Sequence, residues 1–333
     1  MGTGSSSKHP AGTVINLISS FRFQILDFRA VSRLSLFLCA LCALAGNSFA
    51  QNLESLAEQI RIGTTEIKRD TLFEIRNLQS AEASRIAVPA LRDADQIVRA
   101  TAAFSVIYLP KEEAFNALSP NLQDTAEIVR RETAYALGKI QNSSAINPLI
   151  IAFQKDRSTE VKNACIVALG EIGDASAVDI LTKILKQKPK SSEDFLRRSA
   201  LRSIGQIAQI IQIQESYTVT PESFLPEKYK LLTLGKYQNL AAKFPPFQLS
   251  VTVLTQVLQT QKESDDAKRE AAFALGAIGD VSVIAILQSN LASKDYYLAE
   301  ICKESIKKLS SVEKQSVSVD PKISIASGRE QVS

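Results

Sequence analysis

The sequence predicts an all-α fold, an α-solenoid in which about seven helix pairs stack into a superhelix. Three observations lead to this prediction. Segments similar to residues 127–140 recur along the chain, apolar residues within each copy follow a helical period, and alternating β-type patterns are nearly absent. Aligned on Val129, the copies are separated by steps of 31, 31, 32, 35, 71 and 31 residues. The aligned residues, called anchors below, are Ile67, Val98, Val129, Val161, Leu196, Ala267 and Leu298.

The first 50 residues have the pattern of an export signal. Arg22, Arg29 and Arg33 precede an apolar run at residues 34–46, and small residues follow at Ser48 and Ala50. The run is short for a membrane span, which takes about 20 residues. We therefore expect a cleaved signal peptide at residues 1–50 and no stable membrane insertion afterwards, with an uncleaved anchor as the alternative. The predicted location is outside the cytoplasm, in a bacterial periplasm or secreted.

Without that signal the chain is nearly neutral, with 35 basic and 34 acidic residues. A nucleic-acid-binding protein usually carries a clear excess of positive charge, so we expect no nucleic-acid partner. Two cysteines remain, Cys165 and Cys302, each four positions after an anchor where other copies carry Ala or Thr. This pattern predicts small buried residues in different repeats rather than a disulfide.

Each repeat is predicted to contain two helices. In the second helix, apolar or small residues fall at the anchor and at +4, +8 and +11, which form one helical face. Glycine follows several copies, as at Gly173 and Gly279, and is expected to end the helix. Pro89 and Pro148 are expected in the first turn of their first helices. The first helices are predicted near residues 53–62, 83–92, 111–123, 144–154, 175–186, 247–260 and 281–292, and the second helices near 66, 96, 127, 159, 194, 266 and 296.

These repeats resemble the HEAT-repeat family, in particular the short type also found in phycobilin lyases. The resemblance covers roughly residues 53–309 and rests on a pattern of apolar-Pro-x-Leu, Asp, Val-Arg and Ala-Leu-Gly-x-Ile-Gly. It includes an acidic residue six positions before a basic one, as in Asp93 with Arg99, Asp124 with Arg130 and Asp156 with Lys162. The resemblance implies that such residues form a ladder between neighbouring repeats. Ser191 and Lys262 occupy the acidic position in the fifth and sixth repeats, where we expect the ladder to lapse.

Two segments depart from the repeat. The step of 71 residues indicates an insertion at residues 214–246, with a helix expected over 227–243 between pairs of prolines. After Leu309 the period disappears, and residues 310–333 are predicted to form a disordered tail. The solenoid would thus occupy residues 51–309, interrupted by the insertion, which either lies on a binding face or reflects family drift.

No catalytic, cofactor-binding or metal-binding residue is predicted. The only histidine, His9, lies in the predicted signal, so the residue most used for proton transfer and metal binding is missing from the rest of the chain. The resemblance to phycobilin lyases leaves a lyase-like enzyme or an accessory subunit as the alternative. We expect a non-catalytic scaffold that binds a protein partner, in an oligomeric state that the sequence leaves open.

The predicted partner-binding residues lie at positions +2 and +6 of the second helices. In HEAT repeats these helices line the concave side of the solenoid, and aromatic residues and arginines are typical anchors of protein interfaces. The alternative is that the aromatic rings pack between adjacent second helices and complete the core. The predicted residues are Arg69, Phe73, Phe104, Arg131, Tyr135, Arg198, Arg202, Arg269 and Phe273.

Overall fold

A computed structural model describes residues 51–216 and 237–318 of the chain. The chain divides into two units, Met1–Ser55 and Leu56–Ser333, and the second unit contains the repeats from Leu56 onward. The predicted signal peptide lies outside the described residues. Fifteen α-helices and no strands occur in the described part of the chain, so the predicted all-α fold is confirmed.

The helices alternate between a first and a second helix in each of seven repeats. The second helices are α2, α4, α6, α8, α10, α13 and α15, and each begins within one residue of its predicted start. In chain order the helices are α1 (51–62), α2 (Thr65–Leu78), α3 (Ala81–Ala87), α4 (Gln96–Ser105), α5 (Lys111–Leu118), α6 (Glu127–Ile140), α7 (Ile146–Lys155), α8 (Thr159–Ile172), α9 (Val178–Leu185), α10 (Asp194–Ser216), α11 (Leu240–Lys243), α12 (Pro245–Gln259), α13 (Asp265–Ile278), α14 (Ile284–Ser289) and α15 (Tyr296–Ser318).

Several first helices combine an α-helical segment with a short 3-10 segment. In the second and third repeats the 3-10 segment follows the α-helix, at Val88–Arg92 and Ser119–Gln123. Each carries a proline near its start, Pro89 and Pro120, where the missing N–H cannot continue the α-helical hydrogen bonds. Pro89 therefore lies in the first turn of a 3-10 segment, not of the α-helix as expected. Pro148 does lie in the first turn of α7.

Two layers of helices enclose the core. Each second helix packs against the next one, including α10 against α13 across the insertion, and α9 packs against α12 in the layer of first helices. The anchors Val98, Val129 and Val161 are fully buried, as are Leu137 and Cys165. The stack of repeats is therefore continuous across the insertion.

Small residues allow the second helices to approach each other closely. A Cβ atom on Gly138 would lie 2.8 Å from the Cα of Ala168, and one on Gly170 or Gly276 would crowd a serine of the next second helix. The hydroxyls of those serines donate to backbone oxygens of the preceding second helix, Ser203 to Ile166 at 2.9 Å and Ser305 to Ala272 at 3.0 Å. The Ala-Leu-Gly pattern of the sequence is thus a requirement of helix packing.

The predicted ladder is present in the regular repeats, and each base pairs with the acid of the following repeat. Lys68 pairs with Asp93 at 2.6 Å. The Arg99 guanidinium donates to both carboxylate oxygens of Asp124, at 2.8 and 2.9 Å, and its Nη1 donates to the Asp93 carbonyl oxygen. Arg130 bonds Asp156 in the same way. The ladder therefore links the first four repeats through charge-assisted hydrogen bonds.

The expectation that the ladder lapses in the sixth repeat is wrong. Glu263, one position after Lys262, forms a buried ion pair with Arg197 of the fifth repeat. Arg197 also donates through Nη1 to the carbonyl oxygens of Leu185 and Gln187, at 3.2 and 2.8 Å. The repeat spacing points to position 262, but a shift of one residue in the loop places the Glu263 carboxylate at the rung instead. A fixed spacing in the sequence does not reveal such a shift.

Left-handed residues end several second helices. Gly173 and Gly279 follow α8 and α13 with φ of 77° and 83°, which confirms the predicted glycine caps. Gln79 and Gln141 take the same conformation after α2 and α6, both with φ of 50°. A Cβ atom on Gly279 would lie 2.2 Å from the Gln238 carbonyl oxygen, so this glycine also leaves room for the chain after the insertion.

The described end of the insertion packs onto the solenoid. The amide of Gln212 in α10 donates to the Gln238 carbonyl oxygen at 2.7 Å and its oxygen accepts from the Gln238 N–H at 3.0 Å. Leu240 is fully buried. The helix predicted over 227–243 does not continue through this end, because residues 237–239 are not helical and Asn239 caps the separate short helix α11. Residues 227–236 lie outside the described part.

The insertion ends earlier than expected, and the last helix extends into the predicted disordered tail. Pro245 already begins α12, the first helix of the sixth repeat, although we placed the end of the insertion at residue 246. At the other end α15 continues to Ser318, whereas we expected a disordered tail from residue 310. Leu309 is the last buried apolar residue described there, so helical hydrogen bonding extends beyond the core contacts on which the prediction relied. Residues 319–333 lie outside the described part.

Candidate functional site

The second helices present a continuous face, and the predicted aromatic residues lie on it. Phe73 is exposed over 39% of its surface, whereas Phe104, Tyr135 and Phe273 are half-buried. The ring of Phe273 lies against α10, since a Cβ atom on Gly205 would be 2.5 Å from its Cε1. Phe273 thus both packs between adjacent second helices and leaves part of its ring on the surface.

Four of the five predicted arginines form ion pairs within this chain. Arg131 pairs with its neighbour Glu132 at 2.8 Å. Arg198 donates to Asp266 at 2.8 Å, and Arg202 donates through Nε to Glu270 at 3.0 Å. Each of these last two pairs joins α10 to α13. Carboxylates of this chain therefore already hold these four arginines.

Arg269 links the sixth repeat to the seventh. Its guanidinium donates to both carboxylate oxygens of Asp295 in the seventh repeat, at 2.7 and 2.9 Å. It also pairs with Asp266 at 2.8 Å and lies 5.1 Å from the ring centre of Tyr297. The hydrogen bond from Arg269 lowers the pKa of Asp295 below its usual value. Arg269 therefore provides the last described rung of the ladder, from position +2 rather than +1.

A groove forms where α10, α13 and α15 come together. It has a volume of about 550 Å³ and brings together four predicted residues, Arg198, Arg202, Arg269 and Phe273. The other five predicted residues, Arg69, Phe73, Phe104, Arg131 and Tyr135, belong to α2, α4 and α6 and do not line this groove. The structure therefore concentrates the candidate site in repeats five to seven.

Sequence reasoning missed several residues of this groove. Phe195, exposed over 50% of its surface, stands just before the anchor of α10. Asp266 and Glu270 precede and follow the anchor of α13, where they face the arginines of the preceding repeat. The sequence signal for these pairs is an acid at −1 and +3 of one second helix together with a base at +2 and +6 of the preceding second helix. The other missed lining residues are Ser199, Gln206, Gln209 and Ile301.

The two cysteines of the described part have unreactive thiols. Burial raises the pKa of Cys165 to about 12 and that of Cys302 to about 11, so both thiols stay protonated at neutral pH. Both are free and buried, as predicted from their positions. In residues 51–216 and 237–318 no three His, Cys, Asp or Glu side chains are grouped so that they could hold a metal ion. None of the helices found there has the length and apolar character needed to cross a membrane.

Two repeat families match parts of the chain. The family described as HEAT repeats matches residues 86–168. The PBS lyase HEAT-like repeat matches residues 161–187 and 267–293, which include most of the second helices α8 and α13. No curated protein matches the chain.

Several solved structures are similar to the chain at low identity. Human deoxyhypusine hydroxylase in complex with glycerol is 17% identical, with 80% of this chain and 99% of that chain covered and a TM-score of 0.37. The complex of CpcE and CpcF of phycocyanin lyase from Nostoc is 20% identical, with coverage of 69% and 94% and a TM-score of 0.36. A designed armadillo repeat protein in complex with the peptide (KR)4 is 14% identical, with coverage of 77% and 99% and a TM-score of 0.38.

Proposed function

The chain is a HEAT-repeat protein with repeats of the PBS-lyase-like type, and on this premise we propose that it is a non-catalytic scaffold that binds a protein partner. The binding site is the groove between α10, α13 and α15. The partner supplies an extended segment, which places an apolar side chain against Phe273 and a carboxylate near Arg202.

The groove itself is the observation that supports this proposal. It combines an exposed aromatic ring at Phe195, a half-buried one at Phe273 and the apolar side chain of Ile301 with three arginines. Aromatic residues and arginines contribute most of the binding energy in many protein interfaces. A volume of about 550 Å³ accommodates a few side chains rather than a folded domain.

The ion pairs within the groove favour binding rather than oppose it. Asp266 and Glu270 fix the guanidinium groups of Arg198 and Arg202, so less side-chain entropy is lost when a partner binds. Each guanidinium has five N–H donors, and its carboxylate partners, Glu270 for Arg202 and both Asp194 and Asp266 for Arg198, use only some of them. The remaining donors are available to carboxylate or carbonyl groups of a bound segment.

The test is capture of a partner from the native cell envelope by the tagged protein, with variants of the groove. Phe273→Ser removes the ring, and Arg202→Glu reverses an exposed charge at a position that does not pack in the core. Ile151→Ser is the matched control, since Ile151 is 49% exposed on the first helix α7 and does not line the groove. We expect both groove variants to lower capture at least tenfold, the effect of losing one interface hot spot, and the control to keep it.

A second form of the test leaves Phe273 and Arg202 unmodified and places a photo-crosslinking residue at position 206. A loss of stability in the groove variants then cannot account for its result. Gln206 lines the groove, so a bound segment should crosslink there and not to a crosslinker at position 151. Equal capture by all variants, or crosslinks at both positions, would contradict the groove as the binding site. A small molecule that copurifies with the chain and no captured protein would favour the lyase-like alternative.

We also propose that the protein acts outside the cytoplasm. The proposal is supported by the basic residues and the apolar run of residues 34–46 that precede the repeats. Cell fractionation and N-terminal sequencing of the exported form should find the chain beginning at Gln51. Recovery of the full chain from the cytoplasm would contradict this proposal without affecting the groove.

A further inference from the structure

The loops that join the first helix to the second helix of each repeat lie along one edge of the solenoid. The ladder shows this directly, because each rung joins the N-terminal turn of one second helix to the loop of the next repeat. At the insertion the side chain of Arg197 contacts both the Gln187 carbonyl oxygen and the Glu263 carboxylate. The loops at 186–190 and 260–264 are therefore neighbours despite their separation in sequence.

The charge of this edge changes along the solenoid. In the second and third repeats its loops carry one exposed basic residue, Arg92, and three half-buried carboxylates, Asp93, Asp95 and Asp124, of which Asp93 and Asp124 are paired in the ladder. From the fourth repeat onward the exposed charged residues are mainly basic. We call the following exposed residues the basic edge: Arg157, Lys186, Lys188, Lys190, Lys262 and Lys294.

Most carboxylates near the basic edge are already paired. Glu193 bonds Lys190 at 3.2 Å, Glu263 is buried against Arg197, and Asp295 is held by Arg269. The exposed carboxylates Glu160 and Asp265 offset only part of the positive charge. The basic edge therefore keeps a net positive charge toward the solvent, although the chain after residue 50 is nearly neutral.

Exposed apolar side chains adjoin the basic edge at the seventh repeat. Tyr296 and Tyr297 begin α15, are exposed over 69% and 65% of their surfaces, and stack edge to face with ring centres 5.8 Å apart. Leu291, in the loop before them, is 44% exposed. Tyrosine rings with a polar tip are enriched at the headgroup level of membranes.

We infer that this edge docks the protein on the surface of an anionic lipid bilayer, without insertion of a helix. Lysines near an anionic membrane are attracted by its surface potential. The basic edge is rich in lysine, whose flexible point charge suits mobile lipid headgroups, whereas the groove is rich in arginines held by ion pairs. The exposed tyrosines favour a lipid surface over an acidic protein, and the groove remains free for a partner.

The test uses vesicles of phosphatidylcholine with and without phosphatidylglycerol, and the full chain. The variant Lys186→Gln/Lys188→Gln/Lys262→Gln removes three charges of the basic edge. The control Lys111→Gln/Lys139→Gln/Lys307→Gln removes the same charge from exposed lysines away from this edge. The apolar run of residues 34–46 is the same in all three proteins, and any binding through it would also occur with neutral vesicles. We therefore compare how much the affinity of each protein increases when phosphatidylglycerol is added to the vesicles.

We expect about a fivefold loss of affinity per lysine of the basic edge, on the order of 100-fold for the triple variant, and little loss for the control. Added salt should reduce the binding of the unmodified protein. An equal loss in both triple variants would overturn the inference, because only the total charge would then matter. Unchanged thermal unfolding of the variants checks that the fold is intact.

A tryptophan reporter distinguishes a membrane from a soluble polyanion. The chain contains no tryptophan, so Tyr296→Trp gives a single probe on the edge, and Tyr108→Trp gives a control on the loop after α4. With anionic vesicles we expect a blue shift at position 296 only. The contrary outcome is that the protein binds soluble polyglutamate as tightly as it binds vesicles, with no fluorescence shift at position 296. That result would overturn docking on a membrane and favour an acidic protein as the binding partner of this edge.

Discussion

The ladder between repeats is built differently in the regular repeats and across the insertion. Arg99 and Arg130 pair with acids 25 and 26 positions later, and their side chains remain partly exposed. Arg197 pairs with Glu263, which is 66 positions later, and both side chains are only 3% exposed. The same type of contact is thus local and partly hydrated in one region, and long-range and dry in the other.

The difference shows how a solenoid tolerates an insertion. The cost of closing a flexible loop grows slowly with its length, so an insertion is compatible with stacking if the flanking repeats still meet. Here α9 packs against α12 and α10 against α13, and the buried pair joins the two sides. A buried pair contributes little net stability relative to apolar residues, but it is costly to break on one side only.

The largest effect is expected from breaking the buried pair. Arg197→Met should lower the free energy of unfolding by about 3–5 kcal/mol, because it leaves the Glu263 carboxylate buried without a partner. Arg99→Met should lower it by about 1–2 kcal/mol, since solvent can reach Asp124. Urea unfolding followed by circular dichroism measures both, and equal losses would remove the distinction between the two regions.

A double variant tests the physical reason for the large effect. Arg197→Met/Glu263→Leu replaces the pair with apolar side chains and should recover most of the stability lost by Arg197→Met alone. If the double variant is no more stable than the single one, the loss does not come from the unpaired Glu263 carboxylate. The backbone hydrogen bonds of Arg197 to Leu185 and Gln187 would then be the first explanation.

A second comparison concerns the glycines that end α8 and α13. Gly173→Ala should cost about 1–2 kcal/mol, the penalty of a left-handed conformation, because the neighbouring Ile210 side chain can move. Gly279→Ala should cost about 2–4 kcal/mol, since its Cβ atom would also meet the backbone of Gln238. Thermal unfolding measures the two losses.

Hydrogen exchange then locates the effect of Gly279→Ala. Exchange should increase at residues 237–243, because these residues must move away from α13 to make room. The matched variant Gly173→Ala should leave their protection unchanged. Equal protection in both variants would indicate that the end of the insertion is held by contacts other than this close approach.

The smallest effect is expected at acidic pH in the regular ladder. The hydrogen bond from Arg99 lowers the pKa of Asp124 although burial opposes the shift, and Arg130 does the same for Asp156. Because the pKa of these two carboxyl groups is lower in the folded state than in the unfolded state, the pairs stabilise the fold at pH values above the unfolded pKa of about 3.9. That stabilisation is lost as the pH falls through the folded pKa.

The variant Asp124→Asn should therefore cost about 1–2 kcal/mol at neutral pH and less as the pH falls below about 4. Urea unfolding at a series of pH values gives the slope, which should be smaller in the variant than in the unmodified protein. An identical slope would show that Asp124 titrates alike in the folded and unfolded states. Ser158→Ala, which removes the N-cap of α8 in the fourth repeat, serves as a control without a titrating group at the mutated position.

Periodicity was sufficient to place the second helices, because their apolar residues at 0, +4, +8 and +11 form one face that packs in the core. The anchor of the first repeat, Ile67, is an exception, since it is 45% exposed. The starts of α4, α6 and α8 follow from it, as do the glycine caps. The rungs at Asp124 and Asp156 were expected from the resemblance of the repeats to the HEAT type. These features depend on short stretches of sequence that repeat in the same form.

The groove and the rung across the insertion depend instead on which residues meet after stacking. Glu263 replaces Lys262 as the partner of Arg197 because the loop brings it there, and Asp266 and Glu270 reach Arg198 and Arg202 because α10 lies against α13. Repeat spacing relates a residue to its equivalents but does not say how far a loop shifts. Charge pairing between repeats separated by an insertion is therefore decided only by the packed structure.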